Sequence, residues 1–342
     1  MQFKYFYSFF KTFKIPGLFS VFSDFKGMVR YHFLYAAVES GLLDALKIPC
    51  SRDDLINKLG VKNLDILDAL LKVGISIKEL NCKNDLYGIR GKRSQAMVGA
   101  HGDTLSAVIQ ANVTYYNNSY RYAAARMKGA DLGDDLKRAG DIIARFSKLS
   151  DPLIKTFLQD IVPQGPGLRV LDIGCGSGLL LKSMMHINPD LSGLGIDIDD
   201  AAAGQAMQNI EKWGLTERFE IIKGDIRDLP DDIPRFDLIT LVNLVYYFPV
   251  EHRKELFRAL RSRLVSGGSL TIVMNMQGKI TDFAAANLNM ANASMQGVTP
   301  LPDSAALQEQ LKESGFSTIR ISDLMPGSSF VGMQAIVSRP LL

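Results

Sequence analysis

The chain has 342 residues and a formal net charge of +3, from 39 basic and 36 acidic residues. Its length is sufficient for two domains with a substantial core, and so small a net charge does not indicate a nucleic-acid partner. The three cysteines and four histidines are scattered along the chain. Neither a disulfide framework nor a metal site is therefore expected, and a reducing, cytoplasmic compartment fits this composition best.

Residues 1–30 form a basic, aromatic arm with five lysines or arginines against one aspartate. Lysines interrupt its apolar runs, no cleavage pattern of a signal peptide follows, and no run of about 18 apolar residues is available to cross a bilayer. Such an arm can lie on a membrane surface. We favour packing on a partner subunit or over an active site instead.

Residues 31–97 predict helices followed by a small hairpin. Ser51, which precedes a basic residue and two aspartates, is a typical helix N-cap, and residues 64–71 repeat apolar side chains at helical spacing. Residues 75–80 and 86–89, separated by a polar turn, predict two strands. Three helices and a hairpin are the pattern of a winged helix.

Winged helices often bind DNA, but the charge of this segment argues against that role. Asp65 and Asp68 lie on the helix that would enter the groove, and residues 51–80 contain five basic and five acidic side chains. A DNA-binding helix requires a basic stripe. We therefore predict that residues 1–110 comprise the arm and a winged-helix-like dimerisation domain, within a homodimer that binds no nucleic acid.

Residues 98–165 are predicted to be all-helical, and residues 111–165 to be a linker that lines the substrate pocket. This region contains the densest cluster of tyrosines and arginines, and a guanidinium group binds a carboxylate in a fork. Arg121, Arg126 and Arg145 are candidates for holding a substrate carboxylate in this way. The alternative is an interdomain helical layer with solvated arginines. The predicted substrate-binding residues are Tyr116, Tyr120, Arg126 and Arg145, with Asn287 from a later segment.

Residues 166–342 alternate apolar strands with helical patterns, which is typical of a mostly parallel, doubly wound sheet. The predicted strands are residues 168–173, 193–197, 219–223, 236–242, 269–274, 316–322 and 330–337.

A glycine turn follows the first of these strands, with Gly174, Gly176 and Gly178 at alternate positions. A dinucleotide fingerprint is G-x-G-x-x-G, and here the third glycine comes one residue early. Asp172 precedes the turn, where it would repel a pyrophosphate. This combination suits a cofactor with a cationic end, such as S-adenosylmethionine, whose amino group Asp172 would balance while the glycines allow a close approach of the backbone.

Two further acids end the next two strands, Asp197 and Asp225. Asp197 can accept both ribose hydroxyls, and Asp225 can accept from an adenine amino group. A single such acid is more often a cap, but three at successive strand ends indicate a nucleoside site. The predicted cofactor-binding residues are Asp172, Gly174, Gly176, Gly178, Asp197, Asp225, Ile226 and Asn243.

With these residues the chain resembles the class I S-adenosylmethionine-dependent methyltransferases over residues 166–342. With its N-terminal module it resembles the dimeric small-molecule methyltransferases of the plant caffeate O-methyltransferase type. The resemblance implies a Rossmann-like, mostly parallel seven-stranded sheet whose last strand is antiparallel. It also implies S-adenosylmethionine as cofactor and a homodimer built through intertwined N-terminal helices.

In that fold the fourth strand ends beside the transferable methyl group, so the resemblance places Tyr246 and Tyr247 there as the catalytic candidates. The plant enzymes have a catalytic histidine where Tyr246 stands, and His252 is expected on a solvated helix face. A neutral tyrosine, with a pKa of about 10, is a poor base. Its hydroxyl can contact the acceptor and its ring can face a sulfonium. The alternative is that the two tyrosines only pack beneath a lid and take no part in the reaction.

The sequence therefore predicts a small-molecule methyltransferase, with an acceptor that needs no base. Examples are a carbon nucleophile or the thioether sulfur of a small carboxylic acid such as 4-methylthio-2-hydroxybutyrate. One alternative is an O-methyltransferase of a hydroxylated metabolite in which Tyr246 assists. Another, of a different class, is a cofactor-sensing regulator without catalysis.

Overall fold

A computed structural model describes residues 12, 15–230, 233–278 and 281–338. The chain divides into two compact units. The first, here called the helical unit, contains residues 1–117 and 139–149; the second, the sheet unit, contains residues 118–138 and 150–342. The predicted linker of residues 111–165 is thus shared between the two units, and the predicted three-part division stays a prediction.

The helical unit is built around a core that includes Leu34, Leu42 and Leu71, each of them buried. Ser51 caps its helix as predicted, in a reciprocal capping box with Asp54. Its elements are α1 (Ile15–Glu39), α2 (Leu42–Ala45), α3 (Arg52–Leu59), α4 (Leu64–Ser76), β1 (Leu80–Lys83), β2 (Leu86–Ile89), α5 (Lys92–Met97), α6 (Gly102–Ala111) and a π-helical turn (Asn112–Tyr116).

The hairpin begins later than the sequence predicts. Residues 75 and 76 belong to the last turn of α4, because Ile75 continues the helical spacing of the apolar side chains, and the helix ends before Lys78 with its φ of 65°. The predicted first strand at residues 75–80 is therefore wrong. Asn84 and Asp85 form the tip with φ values of 50° and 58°, as a two-residue hairpin turn requires. The winged-helix assignment itself stays a prediction.

Seven strands of the described chain form one sheet, in the order β5-β4-β3-β6-β7-β9-β8. Strands β3 to β7 are mutually parallel, and β9 is antiparallel to both β7 and β8. The predicted mostly parallel seven-stranded sheet is confirmed. Its strands are β3 (Arg169–Ile173), β4 (Ser192–Asp197), β5 (Phe219–Lys223), β6 (Phe236–Val242), β7 (Leu264–Asn275), β8 (Thr318–Asp323) and β9 (Phe330–Ile336).

Helices cover both faces of this sheet, since consecutive strand residues point to opposite sides. Val170 packs in a core with Leu158 and Leu181, whereas its neighbour Leu171 packs in another core with Phe257. The helices of the sheet unit are α7 (Asn117–Arg121), α8 (Ala123–Arg126), α9 (Leu136–Ser147, which continues into the helical unit), α10 (Asp151–Ile161), α11 (Leu179–Ile187), α12 (Asp200–Lys212), α13 (Arg253–Ser262), α14 (Phe283–Ala293) and α15 (Ser304–Glu313).

Residues 127–135 are not helical, so the prediction of an all-helical region 98–165 is wrong there. Gly133 forms a β-bridge with Met295 instead, in a stretch whose glycines and aspartates disfavour helix. No helix within the described ranges is long and apolar enough to cross a membrane. No cluster of metal-ligating side chains occurs in that part of the chain either.

Candidate functional site

The order of the strands fixes where a ligand can bind. The chain passes from β3 outward to β4 and β5, then returns to the other side of β3 with β6. This reversal opens a crevice at the carboxyl ends of β3 and β6, the usual ligand site of an open α/β sheet. The glycine turn follows β3, and the two tyrosines follow β6.

The three glycines of the turn all have left-handed backbones, with φ of 69° at Gly174, 54° at Gly176 and 77° at Gly178. A Cβ on Gly174 would lie 2.9 Å from a terminal carbon of Leu244, so a side chain there would displace Leu244 as well as strain the left-handed backbone. A Cβ on Gly176 would meet nothing within 4 Å. Gly176 therefore borders open space, as expected where the backbone approaches a ligand.

Asp172 is the buried acid of the site, with 2% of its surface exposed. Thr240, its register partner on β6, donates a 2.7 Å hydrogen bond to Oδ1. Oδ2 is buried and accepts from no described group. Burial, and secondly the charge of Asp197, raises the pKa of Asp172 to about 7. An unpaired buried carboxylate oxygen fits a cofactor that brings a cation.

Asp197 closes the glycine turn from β4. Its Oδ2 accepts the N–H of Gly176 at 2.9 Å, and its Oδ1 accepts the N–H of Asp199 at 3.0 Å. A carboxylate has about four acceptor sites, so capacity for two further donors remains. That capacity fits the predicted contact with two ribose hydroxyls.

Asp225 lies at the end of β5 as the cap of a short turn. Its Oδ1 accepts from the backbone N–H and from Nε of Arg227, both at 2.9 Å, and its Oδ2 pairs with the same guanidinium. The Arg227 hydrogen bond chiefly lowers the pKa of Asp225. The next residue, Ile226, is buried. A nucleobase at this position would share Asp225 with an exposed arginine.

The segment after β6 holds the two tyrosines. Asn243 turns the chain with a φ of 51° and donates its N–H to the carbonyl of Val273 at 2.7 Å. Tyr246 is buried, Tyr247 is 38% exposed, and their ring centroids lie 5.0 Å apart. Partial desolvation, followed by the charge of Asp197, raises the pKa of Tyr247. Tyr247 thus stays protonated near neutral pH and can donate a hydrogen bond but not act as a base.

Two residues that the sequence did not single out hold this turn. Thr299 donates its N–H to the carbonyl of Tyr246 at 2.7 Å. Arg253, only 2% exposed, donates to Thr299 Oγ1 at 2.6 Å and to the carbonyl of Phe248 at 3.1 Å. His252 is exposed, as predicted, but it ends a single turn just before α13 and does not lie on the face of that helix.

Comparison with known proteins identifies the domain. Residues 170–268, which include the glycine turn and all three acids, match the family model described as a methyltransferase domain. The chain contains a class I S-adenosylmethionine-dependent methyltransferase domain. The expected sheet and cofactor are thereby confirmed for this domain.

The methyltransferase domain has relatives that extend over most of the chain. Demethylspheroidene O-methyltransferase of Cereibacter sphaeroides is 25% identical over 315 residues, which are 86% of this chain and 80% of the relative. The structure of mitomycin 7-O-methyltransferase MmcR superposes with a TM-score of 0.76 at 16% identity, covering 94% of this chain and 98% of that one. That likeness concerns the fold.

A third relative matches only in part. The tRNA U34 carboxymethyltransferase of Pseudomonas fluorescens is 29% identical over 167 residues, or 46% of this chain. The match spans about half the length of that relative, 48%.

The residues predicted to bind substrate fall in both units. Tyr120 donates from its hydroxyl to Oδ1 of Asn287 at 2.8 Å, so these two meet in the same unit as the methyltransferase domain. Arg126 belongs to that unit as well. Arg145 belongs to the helical unit, where Asp141 and Asp103 neutralise it at 2.7 and 3.3 Å. Tyr116 is buried in the same unit.

Proposed function

We propose that this protein transfers a methyl group from S-adenosylmethionine to a small-molecule acceptor. The buried Oδ2 of Asp172 carries the proposal, because it lies where the strand order reverses and has no partner among the described groups, which suits a cationic ligand group. When bound, the cofactor supplies an electrophilic methyl group. Asp172 would hold its ammonium group, Asp197 its ribose and Asp225 its adenine. The relatives that match along most of the chain are named for small-molecule methylation.

The end of β6 favours an acceptor that needs no general base. Tyr246 stands where the resemblance expects a histidine, and the raised pKa of Tyr247 keeps its hydroxyl protonated. Methyl transfer is an in-line displacement, in which alignment alone can contribute about 7–11 kcal/mol. The buried contacts of Arg253 and Thr299 keep the Tyr246 turn fixed, which suits alignment. A thioether sulfur, a carbon or an already ionised oxygen meets this requirement.

A second candidate is O-methylation with assistance from Tyr246. The likeness to demethylspheroidene O-methyltransferase along 86% of the chain favours oxygen as the accepting atom. Thioether methylation has no comparable support from these relatives. The two candidates differ in whether a proton must leave the acceptor before attack.

That difference gives a test on the tyrosines. For a base-free acceptor, we expect kcat to vary little between about pH 6 and 9, since no acceptor proton is removed before attack. Tyr246→Phe and Tyr247→Phe should each raise KM more than they lower kcat, because each removes a positioning contact. Steady-state kinetics on an acceptor found by screening thioether acids, phenols and carbon acids would measure both effects.

Tyr87→Phe, in the hairpin of the helical unit, serves as the control and should change neither constant. A rate that climbs with pH, together with a loss of about 10²–10⁴ in kcat for Tyr246→Phe, would instead assign Tyr246 as a general base. Absence of methyl transfer to every acceptor, despite tight cofactor binding, would favour the non-catalytic regulator.

We also propose that the helical unit forms a homodimer through α1. Phe19, Phe22 and Phe25 expose 60%, 56% and 54% of their surface on this helix. Exposed apolar side chains at this density mark an interaction surface. The preceding aromatic residues, 1–11, lie outside the described part of the chain.

Double substitution of Phe22 and Phe25 by glutamate should therefore convert a dimer into a monomer, as should removal of residues 1–30. Light scattering across a range of protein concentrations would measure the mass. Phe283→Glu, on a phenylalanine that is 80% exposed in the sheet unit, is the matched control and should leave the dimer intact. A tight, fully active dimer in the absence of residues 1–30 would contradict the proposal.

A further inference from the structure

A pocket of about 450 Å³ opens in the sheet unit between residues 122–137 and Gln296. We propose that it binds a carboxylate of the methyl acceptor through Arg126, an assignment that rests on the proposed methyltransferase function. The acceptor would then be a small carboxylic acid, held by its anionic end while its nucleophile lies at Tyr246.

Arg126 differs from Arg145 because no described acid forms an ion pair with it, whereas Arg145 is paired with Asp141 and Asp103. The Nε of Arg126 is buried and donates to no described group. Among the described residues, its guanidinium makes one long hydrogen bond, 3.4 Å, to the carbonyl of Asn118. Buried donors without partners are costly. A ligand oxygen would supply the acceptor that Arg126 lacks.

The surroundings orient this guanidinium. Its central carbon lies 5.5 Å from the ring centroid of Tyr122, within the range of a cation–π contact. Gly133 faces it, and a Cβ there would lie 2.5 Å from Nη2 of Arg126 and equally close to Asp135 Oδ2. A side chain at this position would therefore displace Arg126 or Asp135 from its observed place. A guanidinium fixed in this way can present a fork of two N–H groups to a carboxylate.

The other charges around the pocket are close to balanced. Lys137 lines the same space as a second cation, and Asp131 and Asp134 supply carboxylates. Arg138 neutralises Asp134 at 3.1 Å. Asp131 lines the wall, and Asp135, whose Oδ1 accepts from Asn118 Nδ2 at 2.7 Å, lies close to the Arg126 guanidinium. The two cations are thus matched by two carboxylates, and it is the unpartnered Nε of Arg126, not an excess of positive charge, that favours an anionic oxygen.

A short segment connects the pocket to the reaction centre. Gln296 donates its backbone N–H to the carbonyl of Gly133 at 2.9 Å and its side-chain N–H to the carbonyl of Leu132 at 2.9 Å. Three residues later, Thr299 donates to the carbonyl of Tyr246. Residues 296–299 therefore join the wall of the pocket to the turn that holds the catalytic candidate, within one unit.

The test compares a carboxylate with its neutral analogue on the full-length chain. The probes are 4-hydroxyphenylacetate and its amide, titrated by calorimetry in the presence of S-adenosylhomocysteine. We expect the carboxylate to bind at least about tenfold more tightly than the amide, because charge-assisted hydrogen bonds are the stronger ones. Arg126→Gln should abolish that preference, and Arg126→Lys should restore part of it.

Arg121→Gln is the matched control, since Arg121 stacks on the same Tyr122 ring at 5.5 Å but does not line the pocket. It should keep the preference. Melting temperatures and S-adenosylhomocysteine affinity should be unchanged in all three variants. Equal binding of the two probes, a preserved preference in Arg126→Gln, or no binding of either probe at millimolar concentration would overturn the proposal. If the preference depends on Arg126 while the chain binds no S-adenosylhomocysteine, the proposed methyltransferase function fails and the carboxylate site stands.

Discussion

Replacing Gly176 by leucine should lower the affinity for S-adenosylmethionine by at least about 100-fold, or 2.7 kcal/mol. The N–H of Gly176 is bound to Asp197, and a Cβ would project into space that no protein atom within 4 Å fills. The cofactor is expected to occupy that space. The leucine side chain would therefore compete with the ligand and not with the protein core.

Gly214→Leu separates this effect from backbone strain. Gly214 follows α12 and has a φ of 68°, and a Cβ at this position would also meet nothing within 4 Å, much as at Gly176. Each leucine should cost roughly 1–2 kcal/mol of stability for its left-handed backbone. Only Gly176→Leu should lose the cofactor. Calorimetry and urea unfolding would measure the two quantities, and equal cofactor affinities in the two variants would remove Gly176 from the site.

The sheet and the glycine turn were predictable because their signals are local. Buried strands such as β6 are largely continuous apolar runs, and each acid of the proposed cofactor site lies within two residues of the end of a strand. The class of the fold and the carboxyl-end position of Asp172, Asp197 and Asp225 then follow from strand alternation alone. The prediction failed at β1, where the same apolar residues suit either a helix or a strand. There the helical period of α4 continued to Ser76.

The contacts that support the proposed reaction centre could not be predicted, because they come from distant parts of the chain. Arg253 is 46 residues from Thr299, and in the sequence it belongs to a charged run that is typical of a solvated helix face. Its burial results from the packing of α13 against the sheet. The pairing of Tyr120 with Asn287, 167 residues apart, depends on tertiary structure in the same way. Periodicity carries no information on such contacts.

Because burial raises the pKa of Asp172 to about 7, we expect cofactor binding to depend on pH. Below that value the carboxyl is protonated in the free protein, and it must lose its proton before it can balance an ammonium group. We expect the affinity for S-adenosylmethionine to increase by up to about tenfold per pH unit from pH 5 to 7. The stability of the free protein should change in the opposite direction. In the unfolded chain this carboxyl has a pKa of about 3.9, so between about pH 4 and 7 it binds more protons in the folded state than in the unfolded state. The burial of Asp172 therefore lowers the free energy of unfolding increasingly as the pH rises through this range, by up to about 4 kcal/mol.

Asp172→Asn should remove both trends at once, since an amide does not titrate and yet keeps the size of the side chain beside Thr240. In this variant the affinity should be low and nearly constant from pH 5 to 7, while the fold gains stability at pH 7 relative to the unsubstituted chain. Asp237→Asn provides the control, because Asp237 accepts the N–H of Arg169 at the opposite, amino-terminal end of β3. Calorimetry at pH 5, 6 and 7 and urea unfolding at the same values would decide the matter. An affinity that is flat with pH in the unsubstituted chain would show that Asp172 is already ionised, and the buried carboxylate would then need a partner within the protein.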